Sequence, residues 1–143
     1  MTWAYIVGFF DGEGNINARG HGIALFQNHL GVLQEIADFL RGEGLVSPKY
    51  RVKESGFRPD GTKRCNVLKY SRKGDVLKFL NGVLPYLIVK RRLAEDLRRF
   101  LIIYPSLTAK QASLIGNQTS TKLARLAYGH VGTDGRSTRN KRP

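Results

Sequence analysis

Three features of the chain predict an α+β fold in which a four-stranded antiparallel sheet is backed by helices in the order αββαββα. An apolar segment with helical spacing comes first and ends in two acidic residues. Two pairs of short runs then alternate at period two, and stretches of helical apolar spacing separate and follow these pairs. A chain of 143 residues with 41% hydrophobic side chains has material for one core and no second. We assign residues 1–104 to the core of a single domain, 105–130 to a helical extension of it, and 131–143 to a basic flexible tail.

The first helix is the most informative element. In residues 5–14, YIVGFFDGEG, apolar side chains lead into Asp11 and Glu13. Ala4, Gly8 and Gly12 recur every four residues and therefore share one face of a helix. Such a near-bare stripe lets a second helix backbone approach closely. Trp3, Ile6, Val7, Phe9 and Phe10 surround the stripe, which predicts a helix buried on nearly every side, between two layers.

Residues 15–19 alternate polar with apolar, and Gly20 and Gly22 offer a turn before a second run at residues 23–27, so this region predicts a strand pair. Leu30, Leu33, Ile36, Ala37 and Leu40 keep helical spacing, with Gly42 and Gly44 as a stop. Residues 49–53 alternate cation with apolar side chain, placing Lys49, Arg51 and Lys53 on one wet face. Pro59-Asp60-Gly61 marks a turn, and residues 64–70 return as the partner strand, with Arg64 and Asn66 opposite Cys65 and Val67. Val76, Leu77, Phe79 and Leu80 suggest a short helix ending near Pro85. Leu93, Leu97, Phe100, Leu101 and Tyr104 make a longer amphipathic one, closed by Pro105. Residues 108–115 and 120–128 are expected to form small helices, and 132–143 are polar and without apolar pattern.

The net charge of +13 points to a polyanionic partner, nucleic acid foremost. Its distribution is uneven: residues 1–45 carry two basic and five acidic side chains, and 46–143 carry 22 basic and six acidic. A basic surface set apart from local carboxylates suits a metal-dependent nuclease better than a simple basic binder. The single Cys65 excludes an intrachain disulfide and a cysteine-built zinc site, and fits a reducing compartment. No run approaches a membrane span, and the N-terminal apolar stretch lacks the flanks of a signal peptide. The expected location is the cytoplasm or an organellar interior, neither secreted nor in a membrane. No phosphate-binding GxxxxGK[ST] loop is present, so no nucleotide cofactor is expected. His21, His29 and His130 lack the clustered spacing of a ββα-metal nuclease.

Val7-Gly8-Phe9-Phe10-Asp11-Gly12-Glu13-Gly14 resembles the signature helix of the LAGLIDADG homing endonucleases, whose pattern is A-G-(hydrophobic)-(hydrophobic)-D-(A/G)-(D/E)-G. The resemblance extends over roughly residues 3–103, where the element order is also that family's. Val7 stands where Ala is commoner, and Glu13 is one methylene longer than the usual Asp. The resemblance implies a DNA-binding sheet in each subunit and two motif helices crossing at the centre of the active assembly. This chain carries one motif and no internal repeat, so it implies a homodimer with Ala4, Gly8, Phe9 and Gly12 at the interface and a pseudopalindromic DNA target.

The resemblance also implies site roles. Glu13 would be the ligand of Mg²⁺ ions shared between subunits, and Lys90 an electrostatic catalytic group. Gln27 would position solvent, with Asn28 or His29 as alternatives for that place. Asp11 is expected to be mainly structural. Asn15, Asn17, Arg19, Lys49, Arg51, Lys53, Arg64 and Asn66 are candidates for the groove-facing surface, and Arg91 and Arg92 for backbone phosphates. The function implied is metal-dependent double-strand cleavage of a long DNA site by a protein encoded within an intron or intein. The rivals are an RNA maturase or a non-cleaving nucleic-acid-binding relative, and the acid at Glu13 together with Lys90 favours cleavage. A basic ribosome-associated RNA binder would explain the charge but not the glycine-striped helix.

Overall fold

A computed structural model describes residues 1–17, 21–52, 61 and 65–103. Arg19, Lys53, Arg64, Tyr104, His130, the turn residues Pro59 and Asp60, the proposed extension at 105–130 and the tail at 131–143 lie outside the described residues.

The element order is α1 (Trp3–Glu13), β1 (Gly14–Asn17), β2 (Gly22–Gln27), α2 (Leu30–Gly42), β3 (Lys49–Arg51), β4 (Asn66–Tyr70), α3 (Lys73–Val83) and α4 (Arg91–Ile103). The strands form one antiparallel sheet in the order β1-β2-β4-β3. This is the α+β arrangement read from the sequence, with the two pairs joined through their second strands.

Alternation along the strands sends Ile16, Ile23, Leu25, Leu68 and Tyr70 to the inner face, where all are buried. The helices lay their apolar faces on that layer: Ile6, Val7 and Phe10 from α1, Leu33, Ile36 and Leu40 from α2, Val76, Phe79 and Leu80 from α3, and Leu93, Ala94 and Leu97 from α4. Each large side chain removed from water contributes about 1.5–3 kcal/mol, which is what holds these short elements together.

Thr2 starts α1, its Oγ1 accepting from the Tyr5 N–H at 3.3 Å. Gly14 ends it, donating its N–H to the Phe10 carbonyl while already extended as the first residue of β1. A Cβ at Gly14 would lie 2.1 Å from Phe10 Cδ2 and 2.5 Å from the Phe10 carbonyl oxygen. Only glycine permits the chain to pass from helix to strand this abruptly, which fixes Glu13 at the junction.

Trp3 fastens the other end of α1. Its Nε1 donates to Glu43 Oε2 at 3.1 Å, and its ring meets Phe39 and Phe79 edge-on. Gly82 of α3 lies under the indole, and a Cβ there would come within 2.3 Å of Trp3 Cη2. Because the ring is held on three sides, Gly82→Ala is expected to cost about 1–3 kcal/mol. Thermal unfolding of the variant checks this: an unchanged midpoint would mean that the indole moves freely.

Buried Asp75, in the first turn of α3, accepts from the Val46 and Ser47 N–H groups at 3.2 and 2.9 Å, and Lys78 Nζ donates to the Gly44 carbonyl at 2.7 Å. These bonds fasten the connection that leads into β3. Among the described residues no helix is long and apolar enough to cross a membrane.

Candidate active site

The junction of α1 and β1 gathers the polar groups that matter most. Glu13 is exposed there, and among the described residues its carboxylate makes no hydrogen bond or ion pair. Asp11 is fully engaged. Its Oδ2 accepts from the N–H groups of Ile88 at 2.9 Å and Val89 at 3.3 Å, and its Oδ1 accepts from the Lys90 N–H at 3.1 Å. These amides lead into α4, so a side chain at the end of one helix caps the start of another. Burial alone would push the Asp11 carboxyl up, but the three backbone donors and the Lys90 charge outweigh it and hold it below its ordinary value of 3.8.

Asp11→Ala is therefore expected to destabilise the fold by about 0.5–2 kcal/mol, the range for removal of a cap. The pH dependence has a fixed sign. A depressed carboxyl contributes its full stability above the unfolded value of 3.8 and loses it as pH falls through the folded value. The advantage in thermal midpoint of the native protein over Asp11→Asn should be constant above about pH 5 and shrink below about pH 4. Parallel curves down through that range would show that the carboxylate charge plays no part in the clamp.

The same clamp positions Lys90. Its Nζ donates to the Asp11 backbone carbonyl and stands 5.9 Å from the Phe10 ring centroid. Burial lowers the lysine's pKa, while Asp11 and Glu13 pull the other way. Gln27 belongs to the same end of the molecule by register. Gly14 faces Leu25 across the β1–β2 ladder, so Gln27 lies alongside the point where α1 enters the sheet. Its Oε1 accepts from the Asn28 N–H at 2.7 Å. Glu13, Lys90 and Gln27, far apart in the sequence, thus share one end of the sheet. Among the described residues no three His, Cys, Asp or Glu side chains are grouped to hold a metal. One open carboxylate per chain nevertheless fits magnesium, which takes one or two carboxylates and completes its shell with water and phosphate oxygens.

The open face of the sheet runs away from this corner. Asn15, Ala24, Lys69 and Lys49 align in one row across the four strands, and Phe26, Val67 and Arg51 in the next. With Asn17 they line a hollow of about 270 Å³. Lys49 and Lys69 are directly opposed, a pairing that costs stability unless a polyanion lies over it. The sequence reading does not single out Lys69.

Asn66 requires a correction. The sequence reading puts it on the groove-facing surface, but its parity is that of Leu68 and Tyr70; it is 4% exposed, and its Nδ2 donates to the Asn28 carbonyl at 2.9 Å. It fastens the end of β4 to the chain leaving β2, and Val67 and Lys69 take the open face of that strand. Arg91 and Arg92 are exposed at the start of α4, next to Lys90. His21 stacks on Phe100 at 4.3 Å, and burial lowers its pKa.

Within the chain, α1 is half covered. Ile6, Val7 and Phe10 are buried and Phe9 partly so, whereas Ala4, Gly8, Gly12 and Tyr5 are exposed. A Cβ on Gly8 or Gly12 would meet nothing within 4 Å. Ile88 and Val89, held by their amides on Asp11, are 83% and 76% exposed at the end of this stripe.

A family profile described as a LAGLIDADG-like domain matches residues 2–101. The chain belongs to the LAGLIDADG homing-endonuclease family. Its signature helix is α1, and the matched span covers every described element but the last two residues of α4. The homing endonuclease I-CvuI, in a crystal structure with the I-CreI target and Mg, superposes with a TM-score of 0.69 at 20% identity, over 92% of this chain and 85% of that one. The archaeal intron-encoded homing endonuclease I-Vdi141I, complexed with DNA, superposes with a TM-score of 0.61 at 16% identity, over 92% and 87%. Among curated proteins there is no match.

Proposed function

We propose that this LAGLIDADG protein is a site-specific DNA endonuclease that acts as a homodimer and uses divalent cations to break both strands of a long, pseudopalindromic target. The observation that carries this reading is the α1–β1 corner: an open Glu13 carboxylate beside Lys90, at the edge of a cationic sheet face and at the end of an uncovered glycine stripe. The solved relatives I-CvuI and I-Vdi141I were crystallised with DNA, which supports DNA as the substrate here.

Glu13 from each of two chains would hold magnesium. Bound there, the metal supplies an acidified water and neutralises charge on the scissile phosphate. This chain's own residues do the rest. Lys90, fixed by Asp11, places a cation where charge develops on phosphate oxygens. Gln27 offers an amide at the same end for orienting solvent. Asn15, Asn17, Lys49, Arg51 and Lys69 face the groove, where arginine can pair bidentately with guanine and asparagine with adenine. Arg91 and Arg92 meet flanking phosphates; Arg19, Lys53 and Arg64, named from the sequence alone, lie outside the described residues. Twofold symmetry of the dimer makes the two half-sites alike. An open reading frame inside an intron, and a cytoplasmic or organellar site of action, complete the proposal.

Incubation with a randomised duplex library, with and without magnesium, tests it. A recurrent pseudopalindromic cut site that requires the cation is the expected result. No cleavage of any duplex, with binding retained, would assign the chain to the non-cleaving relatives.

A further inference from the structure

The open face of the sheet is not polar throughout. An antiparallel sheet with one wet face normally sends polar side chains outward. Along β2, however, the outward residues include Ala24 and Phe26, and the partner of Phe26 on β4 is Val67. Ala24 and Val67 are 7% and 6% exposed and Phe26 is half-buried, so the three make an apolar floor on the side of the sheet away from the core. Lys49, Lys69 and Arg51 rim this floor and line the same hollow. Its place along the sheet is defined as well. Gly14 pairs with Leu25, so the next residue of β2, Phe26, lies level with Glu13 at the end of α1. By register it is the outward residue of β2 nearest the candidate catalytic corner.

We propose that Phe26 and Val67 select a thymine in the inner part of each half-site through its C5 methyl group, a specificity that rests on the endonuclease reading above. A cationic rim around an apolar floor suits a polyanion that also presents apolar groups. In the major groove every base pair offers hydrogen-bonding groups, and the thymine methyl is the distinctive apolar feature among them. Phenylalanine and valine side chains have neither donor nor acceptor. A cytosine amino group or a guanine oxygen pressed onto them loses its water and gains no partner, whereas a methyl group leaves water favourably. Lys49 and Lys69 hold the flanking backbone while the base edge meets the floor.

The test starts from duplexes that the full-length protein, without magnesium, selects from a randomised library. Each is resynthesised with deoxyuridine in place of one thymine at a time, which removes the methyl group and leaves every hydrogen-bonding group intact. One position, the same in both half-sites, should lose about fourfold in affinity when changed in one half-site and about fifteenfold when changed in both, the effect expected of one and two buried methyl groups. At that position cytosine should bind worse than 5-methylcytosine, although both present the same hydrogen-bonding edge. Phe26→Ala should bring the ratio of thymine to uridine affinity close to one, and Phe26→Leu should keep most of it. The ratio compares two duplexes on one protein, so a general loss of stability does not move it, and the uridine scan on the native protein stands even if Phe26→Ala fails to fold. Uridine tolerated at every position, or a ratio unchanged in Phe26→Ala, would overturn the proposal and leave the endonuclease reading in place. Selection of no duplex sequence at all would overturn both.

Discussion

Glu13→Gln is expected to reduce DNA cleavage a hundred- to a thousandfold or more while leaving duplex binding nearly unchanged. The substitution keeps the length and shape of the side chain and removes the charge on which a hard cation depends. Nothing in the fold relies on that charge, since the carboxylate is exposed and makes no hydrogen bond among the described residues. A mixed dimer sharpens the prediction. If both carboxylates share the cations, pairing one native chain with one Glu13→Gln chain should cripple the cutting of both strands. A mixed dimer that nicks one strand efficiently would assign each glutamate to its own strand, and full activity in the double variant would remove Glu13 from the site.

Asp11 gives the contrast that makes this test specific. Two residues away and also a carboxylate, it is used up by three backbone amides, so its loss should appear in stability before chemistry. The sequence places both acids at a helix end but cannot supply the partners of Asp11, because those amides come from residues 88–90. The expectation that Asp11 is mainly structural comes from the family resemblance. The hydrogen bonds supply its physical reason.

The elements themselves are legible because their signals are local. Glycine and proline mark the ends of α2 and α3, and period-two or helical spacing marks what lies between. The faces of the central strand are not legible. In residues 65–70, which include β4, Cys65 and Val67 on one parity and Leu68 and Tyr70 on the other are all compatible with burial, so alternation leaves the inner face undecided. Polarity favours Asn66 for the open face, yet burial with a backbone acceptor suits an amide equally well, and the helices that cover the inner face decide the matter. Lys69 escapes notice for the same reason.

The second large effect concerns the stripe on α1. Gly8→Leu places a branched side chain where the isolated chain has open space, as nothing lies within 4 Å of a Cβ there. In a monomer the substitution should be neutral or favourable, because leucine exceeds glycine in helix propensity by roughly 0.5–1 kcal/mol. In a dimer whose α1 helices cross backbone to backbone, the same side chain separates the two helices and, with them, the two Glu13 carboxylates. The expected outcome is a folded protein with an undiminished unfolding midpoint at low concentration, monomeric by sedimentation, and inactive on DNA because neither site can be completed. Gly12→Leu should act in the same direction and Ala4→Leu more weakly, since alanine already carries a Cβ. A Gly8→Leu protein that still sediments as a dimer and still cuts would place the subunit contact elsewhere on the molecule, and the reason for an uncovered glycine stripe ending at an open carboxylate would have to be sought again.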